Sequence, residues 1–338
     1  MPAHKRVTIR DVAALAGVSH QTVSRIINGS EHVSPATRQK VEKAIDQLGF
    51  RPNAIATFMA RGRTQTLACI SPNLTDYTFA RIIEGAEIEA RQLGYFVISS
   101  SAEDESTFGT LIDQLVATRR TEGLLVMNPY ADLRFTLLPH DFPTVFLGAR
   151  AFNELADAVH LDDYDAGRLA TQHLIDLGHT HIATFSGPIE EVCVVDRLAG
   201  YQQALTAQGI RPHPALVRYG DWAASSGYES VLQLLEQKIP FSAIFAQNDR
   251  IAIGAIHALH EAGLSVPEDI SIIGFDDIPL SAYFDPPLTT MRQDFFQIGR
   301  IAVRRLIERI QNPFQAVEQL QIPAELVLRR STAVCQRR

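Results

Sequence analysis

The sequence is short of cysteine, has a single tryptophan and contains no long apolar run. Its three cysteines, Cys69, Cys193 and Cys335, are isolated and odd in number. Neither a disulfide framework nor a metal-ligand spacing is visible, and a reducing cytoplasm is the simplest compartment. No stretch approaches the roughly 18 uninterrupted apolar residues of a membrane span. The opening residues MPAHKRVTIRD lack the apolar stretch of a secretory leader. Motifs of nucleotide and hydrolase chemistry are missing as well. There is no G-x-G-x-x-G after a strand, no G-x-x-x-x-G-K-[ST] and no H-E-x-x-H. No period of about 20–50 residues repeats, which argues against a solenoid. These absences lead us to expect no cofactor, no metal, no catalytic residue and no membrane contact. A sugar-acting enzyme on a Rossmann-like body is the rival from another class.

What is present is unevenly charged. Over 338 residues the net charge is −7. Residues 1–63 hold ten Lys or Arg against four acids, a net of +6, while the remainder holds 21 against 34, a net of −13. A basic head on an acidic body fits phosphate binding confined to the head, and it fits a merely solvated basic face equally well.

Within the head, Thr8 followed by Asp11 opens a helix with a capping pattern. Ile9, Val12, Leu15 and Ala16 are expected to fall on one face. Gly17 ends it, and Ser19 can cap a second helix running to about Ile27. Ser34-Pro35 starts a third, which Gly49 stops. Three short helices, the first two joined by a glycine turn, describe a helix-turn-helix. At about 100° per residue, His20, Gln21, Ser24, Arg25 and Asn28 fall within an arc of about 140°. Val23, Ile26 and Ile27 lie opposite as anchors. The face carries hydrogen-bonding groups rather than long charges of alternating sign. Arg25 can pair bidentately with guanine and Gln21 with adenine, and His20 can reach a base edge. Ser19, Thr22, Ser24 and Asn28 are short and suit phosphates.

From about Leu67 the pattern becomes α/β. FVIS, GLLVM, TVFL, IATF, AIFA and ISIIGF read as buried strands. The helical stretches between them end at Gly94, Gly178, Gly209 and Gly263, implying parallel sheets covered on both faces. About 270 residues is large for one sheet, so two lobes are expected. Pro52 to Thr64 joins head to body. Its helix-compatible centre is shorter than the ~12–15 residues that hold helix alone, so it reads as a conditional helix or a plain linker.

The segment VTIRDVAALAGVSHQTVSRIINGSEHVSPATRQKVEKAIDQLGFRPNAIA resembles the DNA-binding head of the lactose/galactose repressor (LacI-type) family of transcription regulators. The likeness extends through GDWAASSGY (220–228), QNDRIAIGAIHALHEAGLSVPEDISIIGFDD (247–277) and PPLTTMRQDF (286–295). It implies an all-α helix-turn-helix head and an α/β body of two doubly wound parallel sheets, like type I periplasmic binding proteins. The implied boundaries are a DNA-binding domain at 1–51, a hinge at 52–65 and an effector-binding and dimerisation domain at 66–338. Within the last, one lobe takes about 66–161 and 291–322, the other about 162–290 and 323–330.

Carried over residue by residue, the resemblance gives His20, Gln21 and Arg25 base-reading positions. It sets Ile9, Ser19, Thr22, Ser24, Asn28, His32 and Thr37 near the DNA backbone. Met59 stands where the family usually has a leucine that wedges into the minor groove. In the body it implies effector contacts from Arg197, Trp222, Asn248, Asp276, Gln293 and Phe295. Trp222 could stack on a sugar or flat base, or could be a core residue. Arg197 could instead be a surface ion-pair partner. Asp276, just past ISIIGF, can accept from two hydroxyls, while Asp277 points elsewhere. Asn73, Tyr77 and Phe79 follow the first strand and could line the cleft mouth, with core positions the alternative for the two aromatics. Gly148, Ala149 and Arg150 stand where sugar-binding relatives often have an aspartate. Arg150 can donate there instead, leaving room for an acidic sugar or a sugar phosphate. The implied function is a dimeric repressor that binds a palindromic operator on double-stranded DNA and answers a small sugar-like effector; a purine-type corepressor is the alternative. With no terminal leucine heptad in view, a homodimer is favoured.

Overall fold

A computed structural model describes residues 7–27, 32–51, 63–127, 133–148 and 156–336. Two compact units divide the chain, Met1–Gln65 and Thr66–Arg338. Of the residues singled out above, Asn28, Met59 and Arg150 lie outside the described residues, as does 52–62 of the expected hinge.

The first unit contains α1 (Ile9–Ala16), α2 (His20–Ile27) and α3 (Pro35–Leu48). The Thr8 amide and hydroxyl both donate to the Asp11 carboxylate at 2.7 Å, so the first turn is closed from the residue before it. Gly17 and Gly49 end α1 and α3 in the left-handed region, at φ 68° and 59°. Ser34 accepts from the Thr37 amide and Pro35 fills the first helical position. The core is small: Val12, Ala13, Val23, Ile26, Val41 and Ala44, with Ile9 and Ala16 packed at its edge. One residue of the expected face is not buried here. Leu15 is 50% exposed, because the buried stripe of α1 runs 9, 12, 13, 16 and Ala13 takes the inward position.

The second unit has two six-stranded sheets. The first orders β2 (Phe96–Ser101), β1 (Thr66–Ser71), β3 (Gly123–Val126), β4 (Thr144–Gly148), β5 (Asp157–Leu161) and β11 (Gln319–Ile322), all parallel. The second orders β7 (Val217–Tyr219), β6 (Ile182–Ser186), β8 (Ala243–Ala246), β9 (Ser271–Asp276), β10 (Thr289–Arg292) and β12 (Glu325–Val327), parallel except for the last pair. The chain passes between lobes after β5, after β10 and between β11 and β12.

Each sheet is covered on both faces. On the first lie α4 (Tyr77–Gln92) and α10 (Phe295–Gln311), with α5 (Glu105–Ile112) opposite. A Cβ on Gly85 would sit 2.1 Å from the Phe296 carbonyl oxygen, and one on Gly299 would sit 2.0 Å from that of Ile82. Only glycine lets α4 and α10 close to that distance. On the second sheet, α6 (Asp163–Asp176) and α7 (Val192–Ala207) cover one face, α8 (Ala224–Glu236) and α9 (Asp249–Glu261) the other. The helix-ending glycines 94, 178, 209 and 263 all have positive φ, as the helix–glycine–strand pattern requires. The FVIS run, expected to be buried, is not. It forms edge strand β2, with Phe96 66% and Ile98 41% exposed, because only β1 pairs with it.

Candidate functional site: a reading helix and an interlobe cleft

On α2, Val23 and Ile26 are buried and Ile27 is half-buried, so the helix is held by the side opposite its polar arc. His20, Gln21 and Arg25 are exposed, and Ser24 is half-buried. The three side chains suited to base edges therefore stand free of the small core. Ser19 and Thr22 are partly committed to the helix itself. The Ser19 hydroxyl accepts from the Thr22 amide at 3.1 Å and lies 2.9 Å from the Thr22 hydroxyl. Thr37 is likewise tied to Ser34, hydroxyl to hydroxyl at 2.8 Å. Ile9 is a half-buried core-edge residue and His32 is exposed.

In the second unit a cavity of about 370 Å³ opens between the lobes. It lies at the carboxyl ends of the strands in both sheets, where doubly wound folds take ligands. Asn73 and Phe79 line it from the segment after β1. Arg197, Trp222, Asn248, Asp276, Gln293 and Phe295 line it from the second lobe and the crossover. Residues separated by over two hundred positions thus converge on one space. Tyr77 does not join them. It sits half-buried against the first lobe's core, as Phe79 also does.

Trp222 is fixed at three points. Its indole N–H donates to Glu191 at 3.0 Å, its carbonyl accepts from the Asn248 amide at 3.1 Å, and its ring lies flat enough on Gly187 that a Cβ there would approach within 2.3 Å. Asn248 also caps α9, accepting from the Ile251 amide at 2.7 Å. An indole clamped this way is a rigid stacking platform. Asp276 is buried, adopts φ 107° and accepts from the Gln293 amide at 3.0 Å. Burial raises its carboxyl pKa well above the usual range, with Arg197 opposing. Asp277 turns the other way into ion pairs with Arg292 at 2.6 Å and Arg329 at 2.5 Å.

Arg197 is not the surface partner considered from sequence. It is 6% exposed, its Nε pairs with Asp163 at 2.7 Å and its Nη1 donates to the Gln247 carbonyl at 2.7 Å. Its guanidinium stacks 3.8 Å from the Phe275 ring centroid. Glu191, the Asp163 partner of Arg197 and the Asp76–Arg250 pair (2.5 Å, one partner from each lobe) are additions to the residues singled out from sequence. Glu191 had a signal, since it follows Gly187-Pro188 at the carboxyl end of β6, where ligand loops lie. No group of three His, Cys, Asp or Glu able to hold a metal occurs among the described residues. None of their helices is long and apolar enough to cross a membrane.

Comparison with known proteins gives these two sites a common setting. A family model described as "Bacterial regulatory proteins, lacI family" matches residues 8–53, and one for a periplasmic binding protein-like domain matches 171–332. The lactose operon repressor of Escherichia coli K12 is 36% identical over 334 residues, covering 97% of this chain and 91% of that protein. The chain belongs to the lacI family. Its fold agrees with a lac repressor dimer bound to operator and the anti-inducer ONPF, at TM-score 0.88 and 35% identity, covering 97% of this chain and all of the other. A transcriptional regulator CelR in complex with cellobiose gives TM-score 0.75 at 33% identity, covering 96% and 100%. As a lacI-family protein the chain is a DNA-binding transcription regulator with a helix-turn-helix head and a periplasmic-binding-like body.

Proposed function

We propose that this regulator is a cytoplasmic homodimeric repressor. Its two heads bind the halves of a near-palindromic operator, and the cleft between its lobes holds a small polyhydroxylated effector. In the heads, Arg25, Gln21 and His20 read bases, while Ile9, Ser19, Thr22, Ser24, Asn28, His32 and Thr37 approach the backbone. In the cleft, Trp222 stacks on the apolar face of the ligand and Asp276 accepts from its hydroxyls. Asn73, Phe79, Arg197, Asn248, Gln293 and Phe295 close around it. Domains of 1–51, 52–65 and 66–338 follow from this division of labour, with Met59 the minor-groove wedge. The observation that carries the effector reading is the clamped indole beside a buried carboxylate whose hydrogen-bond partner is a neutral amide.

Effector binding changes operator affinity through the segment joining head to body. A coupling of ~1–3 kcal/mol alters that affinity by ~5–150-fold. The ligands of the two similar structures agree in kind: cellobiose and ONPF are what those two proteins were found with. The test is selection of duplexes from a random pool by the full-length chain, followed by melting of the protein against a panel of sugars and purines. A symmetric duplex and stabilisation by a sugar are expected. A pool without enrichment would refute the DNA reading, and stabilisation by purines alone would replace the sugar reading with a purine one.

A further inference from the structure

Six charged side chains line the described wall of the cleft: Asp76, Glu191, Arg197, Asp221, Arg250 and Asp276. Both cations are already ion-paired. Arg197 is held by Asp163 at 2.7 Å, by the Gln247 carbonyl and by its stacking on Phe275. Arg250 is held by Asp76 at 2.5 Å. The two buried acids, Glu191 at 6% and Asp276 at 9% exposure, have neutral partners in the wall: the Trp222 indole N–H for one, the Gln293 amide for the other. A second contact to Glu191, from the Cys193 thiol at 3.8 Å, is weak.

Glu191 occupies a telling place. It is the residue before α7, yet its side chain does not cap that helix. The carboxylate is turned to the indole instead. A helix N-terminus facing a ligand cavity ordinarily favours an anion. Here a carboxyl group of the protein stands at that end. Desolvation raises the pKa of Glu191, with Trp222 and Arg197 opposing, and an anion brought beside it would raise it further.

We infer that Glu191 sets the charge selectivity of the cleft: with Asp276 it accepts hydroxyl groups of a neutral polyhydroxylated effector and repels that ligand's phosphorylated or carboxylated counterparts. A hydroxyl entering the cavity meets two acceptors with remaining lone pairs. An added anion meets acidic groups at low dielectric and, among the described residues of the wall, cations that are already paired. This runs opposite to the acidic ligand for which Gly148 to Arg150 left room, and it rests on the effector reading above.

The test uses the full-length protein and the emission of Trp222, the chain's single tryptophan. Ribose, glucose, galactose, fructose and cellobiose are titrated alongside ribose 5-phosphate, glucose 6-phosphate, fructose 6-phosphate, glucuronate and galacturonate. The neutral sugar that binds is expected to outbind its anionic counterpart at least tenfold. In Glu191→Gln that ratio should shrink at least threefold. An anion binding as tightly as its parent, or an unchanged ratio in the variant, overturns the inference. Should Glu191→Gln not fold, Glu191→Ser carries the second comparison, and the wild-type ratio decides the first regardless. If no member binds, neutral or charged, the sugar reading itself fails and the inference with it, a result distinct from an anion outbinding its parent.

Discussion

On α2 the side chains assigned to base reading, His20, Gln21 and Arg25, are exposed, and the helix is pinned from behind by Val23 and Ile26. In the cleft the reverse holds: Arg197, Asn248, Asp276 and Gln293 are buried and already bonded to neighbouring side chains or backbone. The difference follows from the size of the partner. A duplex covers a surface and supplies its own dense charge, so the head needs accessible donors and little else. A small ligand offers few groups, so each protein group that meets it must be preorganised, and the cost of burying those groups is met within the wall. Recognition in the head should therefore be separable from stability, while in the cleft the two should be entangled.

The largest expected effect tests that entanglement. Arg197→Ala leaves Asp163 buried without its partner, and the Asp163 pKa, already raised by burial, rises further. A loss of roughly 3–5 kcal/mol is expected in urea denaturation of the body. A loss under about 1 kcal/mol would show that the pair is not holding the second lobe. Arg25→Ala is the counterpart in the head. Operator binding should weaken by ~1–3 kcal/mol with preference relaxed at one base pair of each half-site, while stability stays within about 0.5 kcal/mol. Equal losses on operator and random duplex would make Arg25 a phosphate contact.

Gly187→Ala sharpens the contrast within the cleft. The added methyl meets the indole, so Trp222 must shift. The overpacking cost is roughly 1–3 kcal/mol, read as weaker effector binding and altered tryptophan emission. Operator affinity without effector should be unchanged. The smallest effect belongs to Ser34→Ala, which removes the cap of α3 and should cost the head ~1 kcal/mol by thermal melting. The Arg25→Ala and Ser34→Ala variants together separate reading from folding in one small unit.

The head was largely legible from its pattern because its information is local. Caps, glycine stops and the polar arc of α2 all lie within a few residues of what they determine. Leu15 departs from the expected face because an eight-residue helix shows too few turns to distinguish stripes one position apart. The body's strands were legible as apolar runs, but FVIS gave no sign of being an edge, since edge position depends on which strands pair. In the cleft, strand ends pointed to Trp222, Asn248 and Asp276. Asp163 and Glu191 carry no local signature of their partners, because their meaning arises only when loops after different strands meet. Glu191 lies 31 residues from the indole it holds. Tyr77 and Phe79 are equally suited to core or cleft by composition; both pack against the first lobe's core, and Phe79 also lines the cavity.

The central claim is that the cleft controls the head. The most direct measurement is operator affinity of the full-length protein, with and without a saturating concentration of a ligand shown to bind beside Trp222. The account predicts a change of ~5–150-fold, abolished for a variant that no longer binds the ligand. Identical affinity in the two conditions, with the ligand demonstrably bound, would contradict it.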